Sequence, residues 1–150
     1  MQKPEPRLFH LLIPYYGLLQ ALHLGALARA GLLILRGNPA PFPIPPPPGG
    51  WTNQTMAFLY GLAFTDIIGI VFGILFSTQF VFEDKFNTRL GTLSLTIFIT
   101  GAIVFTAGTF PSGAWAAHPV AYGVLIVLFA PCVILYCHLL KQLPDHKSSN

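Results

Sequence analysis

Three ionisable residues lie deep in long apolar runs: His23 and Arg29 in the first, Asp66 in the second. A guanidinium, a carboxylate and an imidazole at one depth of a hydrocarbon layer are the parts of a neutralised ion pair or of a proton relay. An unpaired charge there costs at least about 2.5–3.5 kcal/mol on insertion scales, so pairing of Arg29 with Asp66 is expected whatever the role. With the helix centres set near His23 and Ile68, Asp66 lies about 3 Å and Arg29 about 9 Å from the midplane, at 1.5 Å per residue. Side chains lean toward the N-terminus of their own helix, which brings the two charged groups together. His10 and His138 fall near one surface on the first and last apolar runs and are the residues that a haem b would need. No nucleophile–base set, phosphate loop, paired-acid spacing or metal cluster occurs, so neither an enzyme nor a cofactor is expected.

The elements that must position these residues follow from composition. Of the 150 residues, 53% are hydrophobic and 9% charged, against about 25% charged in an ordinary soluble domain. Four apolar runs are each long enough to cross a bilayer, at residues 8–35, 56–80, 90–110 and 119–140. The fold expected is all-α, a single-domain four-helix transmembrane bundle. Pro14 predicts a kink or a start of the first helix near that residue, with Tyr15 and Tyr16 at the membrane surface. Pro119 suits the first position of the fourth helix. Cys132 and Cys137, five apart in one apolar run, read as small core residues.

The second run carries a small residue at every fourth position: Ala57, Gly61, Thr65, Gly69, Gly73 and Ser77. Gly17, Ala21 and Gly25 form a shorter row in the first run, ending at Arg29. In lipid, rows of small residues let helix backbones approach closely. The first two helices are therefore expected to pack antiparallel through these rows, with Arg29 and Asp66 at the seam and His23 within reach.

Residues 36–55 form a proline-rich loop, read as a stiff spacer over one end of the bundle. Lys3, Arg7, Lys85, Arg89, Lys141 and Lys147 fall on one side of a four-span layout and only Arg36 on the other. That bias places both termini in the cytoplasm and the proline-rich loop outside, as in a bacterial inner membrane or its equivalent. The cations are spread singly, so nucleic acid is not an expected partner. The leading functional expectation is a non-enzymatic accessory or scaffold subunit, associating with other membrane chains or with itself. The competing classes are a small proton-coupled carrier or channel using Asp66, Arg29 and His23, and a haem-binding subunit using His10 and His138.

Overall fold

The computed structural model describes residues 7–37 and 44–143. They form α1 (Phe9–Leu35), α2 (Asn53–Glu83), α3 (Thr88–Thr109), a 3-10 turn (Phe110–Ser112), the short α4 (Ala114–Ala117) and α5 (Pro119–Leu140). No strand occurs among the described residues. Four of these helical segments are long and apolar enough to cross a membrane, as in a multi-pass membrane protein.

The helix ends have local causes. Thr52 caps α2 by accepting from the Thr55 amide at 3.1 Å, and Asn87 caps α3 by accepting from the Leu90 amide at 3.1 Å. Asp84 stops α2 in the left-handed region (φ 54°), which an Asp tolerates better than most residues. The Lys85 amide then folds back onto the Gln79 carbonyl at 3.0 Å. α1 begins at Phe9 and runs through Pro14 to Leu35, so its start lies five residues before that proline.

α1 packs against α2 and α5, and α3 packs against the same two helices. Adjacent helices run antiparallel. Along the α2–α3 contact, Phe76 meets Gly91, Asp66 meets Gly101 and Phe58 meets Gly108. The start of α1 meets the end of α5, where the Phe9 and His138 rings lie 6.0 Å apart.

The main core fills this end of the bundle. Phe98 stacks on Phe129 at 4.6 Å and takes the edge of Tyr16 at 5.7 Å, among buried Phe9, Ile13, Phe76 and Leu135. Tyr16 is fully buried among the helices. Tyr15 is half-buried and donates its hydroxyl to the Leu128 carbonyl at 2.8 Å. Cys132 is buried, whereas Cys137 is exposed.

A smaller knot closes the opposite end around α3, α4 and α5. Trp115 stacks on Tyr122 at 4.5 Å and donates its indole N–H to Thr109 Oγ1 at 3.0 Å. The proline-rich segment docks on this knot: the Tyr122 hydroxyl donates to the Pro45 carbonyl, and His118 Nε2 sits 3.1 Å from the Pro46 carbonyl. α1 takes no part in these contacts. Its buried residues stop at Gln20, and nothing from Ala21 to Leu35 is buried.

Candidate functional site

Gly73 is where three helices meet. A Cβ there would lie 2.9 Å from Gln20 Cγ, 3.1 Å from Tyr16 Cε1 and 2.9 Å from Ser94 Oγ. The bare backbone of α2 is what lets α1 and α3 converge on it. Ser94 Oγ donates to the Gly69 carbonyl at 2.8 Å and lies 2.6 Å from the Tyr16 hydroxyl. A serine hydroxyl has one proton, so Tyr16 donates to Ser94. The relay Tyr16 to Ser94 to Gly69 thus ties α1, α3 and α2 together through buried atoms. Beside it, Gln20 is fully buried, and neither its amide nitrogen nor its amide oxygen has a partner. An orphaned buried polar group of this kind costs about 1–3 kcal/mol.

The cluster of His23, Arg29 and Asp66 is not assembled. Among the described residues the only ion pair is Lys85 with Glu83, at 2.8 Å. Arg29 is exposed, while His23 and Asp66 are half-buried. Asp66 lies against α3, its Oδ1 2.6 Å from where a Gly101 Cβ would stand. Helical rotation explains the separation. Arg29 comes nine residues after Gln20, about two and a half turns, and so points away from the bundle. Asp66 precedes Gly73 by seven residues, about two turns, and so shares the inward direction of Gly73. The two charges agree in depth and disagree in azimuth.

The same rotation breaks the expected α1–α2 seam. A four-residue step overshoots a full turn by about 40°, so Arg29 lies about 120° round the helix from Gly17. Gly17 meets Ser77, whose Oγ donates to the Ile13 carbonyl at 3.2 Å. Farther along α1, Ala21 is exposed and a Cβ on Gly25 would meet nothing within 4 Å. On α2, Gly69 turns to Ile97 of α3, Gly61 is open, and Ala57 and Thr65 are exposed. The rows do not form one continuous contact between α1 and α2. With the azimuths fixed, Asp66→Asn and Arg29→Gln are expected to act independently on unfolding in detergent, with coupling within about 0.5 kcal/mol. A coupling well above that in a double-mutant cycle would reinstate the pair.

His10 and His138 do not make a haem site. His10 is exposed and lies 5.2 Å from the Phe80 ring of α2, whereas His138 meets Phe9 on another flank of α1. Consecutive residues diverge by about 100° on a helix, so the two imidazoles face no common gap.

At this end of the bundle, Lys85 donates to Glu83, and that hydrogen bond, with the charge behind it, raises the lysine above its ordinary range. No group of three or more His, Cys, Asp or Glu suited to a metal occurs among the described residues. No family model, curated protein or solved structure matches this chain.

The Tyr16 relay and Gln20 escaped the sequence reading. The signal that could have found them is the spacing of Gln20, one helical turn after Tyr16, which puts a polar side chain on the face that the tyrosine buries.

Proposed function

We propose that the chain is a non-enzymatic, multi-pass subunit of a larger membrane complex, with both termini cytoplasmic, and that it docks through the outward face of α1. Arg29 carries this reading. It is an exposed cation in an apolar helix, about 9 Å from the end of α1 at Leu35, and among the described residues no acid is placed to meet it. Asp66 lies against α3, Glu83 is held by Lys85, and Asp84 follows the far end of α2.

Leu18, Leu22 and Leu32 are 61%, 64% and 56% exposed around Arg29, with Gly25 open between them. A single partner helix fits such a face, with a small residue against Gly25 and a carboxylate at the depth of Arg29. The orientation rests on the cation count, six toward the termini against Arg36 at the other end.

The test is isolation of the complex in mild detergent from native membranes. Arg29→Leu should release the partner, Arg29→Lys should keep most of it, and Arg36→Leu should have no effect. A partner's acid-to-lysine change should restore binding to Arg29→Glu. A complex of unchanged size with Arg29→Leu would overturn the proposal. The competing carrier reading loses its trio with Arg29 turned outward, and what still favours it is Asp66, an inward-facing carboxylate without a cation beside it.

A further inference from the structure

A depression of about 500 Å³ lies where the α2–α3 turn meets the segment after α5. Its lining includes Lys85, Arg89, Gln79, Asn87, Thr88 and Gln142, which supply two cations, three amides and a hydroxyl but no carboxylate. The remaining lining residue, Phe86, is fixed by rings on both sides, 5.1 Å from Phe9 and 6.0 Å from Phe80. The concavity is therefore part of the packed end of the bundle. Asn87 commits its side-chain oxygen to the Leu90 amide, which leaves its NH₂ group as a donor. Glu83 offsets the charge of Lys85, while Arg89 is exposed and has no acid partner among the described residues.

We infer that this depression binds a phosphate-bearing anion, with Arg89 as its anchor. The donors match phosphate oxygens, and a guanidinium offers two parallel N–H groups to them. The place favours a lipid headgroup as the source. The depression sits just beyond the exposed Val81 and Phe82 at the end of the apolar part of α2, where acyl chains end and phosphates begin.

The experiment uses the purified full chain in detergent. Phosphatidylglycerol, phosphatidylcholine and inorganic phosphate are titrated separately, with retention read by native mass spectrometry and stability by the melting temperature. Phosphatidylglycerol should be retained over phosphatidylcholine and should raise the melting temperature. Arg89→Gln should weaken its affinity roughly fivefold, whereas Arg36→Gln, at the other end of the bundle, should leave it unchanged. An Arg89-dependent rise with inorganic phosphate alone would support the site and assign it to a soluble ligand. Equal retention of both lipids with no effect of phosphate, or equal behaviour of Arg89→Gln and Arg36→Gln, would overturn it. Because Arg89 is exposed and away from the core, the variant keeps the fold on which the comparison depends.

Discussion

Gly73→Leu is expected to destabilise the bundle by at least about 3 kcal/mol in chemical unfolding in detergent, at the upper end of what overpacking costs. Even the first carbon of the new side chain would stand 2.9 Å from Gln20 Cγ and Ser94 Oγ and 3.1 Å from Tyr16 Cε1. Those three atoms belong to helices packed from two directions, so relief on one side tightens the other. The controls are Gly25→Leu and Gly61→Leu, where a Cβ would meet nothing within 4 Å. Each should stay within about 0.5 kcal/mol of the parent. If Gly73→Leu behaved like the controls, α1 and α3 could not both be seated on α2 at this point.

Tyr16→Ala is expected to cost about 3 kcal/mol, the low end of the range for deleting a buried aromatic. The low end applies because lipid is itself apolar, so the penalty comes from packing and filled volume more than from transfer out of water. The substitution removes the ring edge that meets Phe98 and the hydroxyl that bonds Ser94. A graded series separates these parts. Ser94→Ala strands a fully buried phenol hydroxyl and should cost about 1–3 kcal/mol. Tyr16→Phe leaves the Ser94 bond to Gly69 in place and should cost about 1 kcal/mol. Unfolding free energies in that order support the relay; a Ser94→Ala variant as stable as the parent would remove it.

The spans were legible because each is a long apolar run bounded by residues with local preferences. Pro119 opens α5 as read, whereas the caps Thr52 and Asn87 went unread, and α2 and α3 begin at Asn53 and Thr88, before the apolar runs read at 56–80 and 90–110. Depth along each helix was legible too, since it needs only a count of residues and the rise per residue. Azimuth was not. A row of small residues at every fourth position looks straight on the page but winds about 40° per step in a straight helix, which carried Arg29 away from α2 and Asp66 toward α3. The burial of Tyr16 was not legible either, because it depends on a serine on α3 able to accept its hydroxyl. The gap around Gln20 depends on side chains from three helices at once, which no single stretch of sequence records.

The uneven closure of the bundle has one more result. Rings and leucines lock the end where α1 begins and α5 finishes, while the far half of α1 buries none of its residues. A second chain can therefore settle beside that half, or leave it, without disturbing the aromatic base. Under the docking proposed above, assembly and disassembly would proceed between prefolded units, and the exchange of one subunit for another would not wait for any of them to unfold.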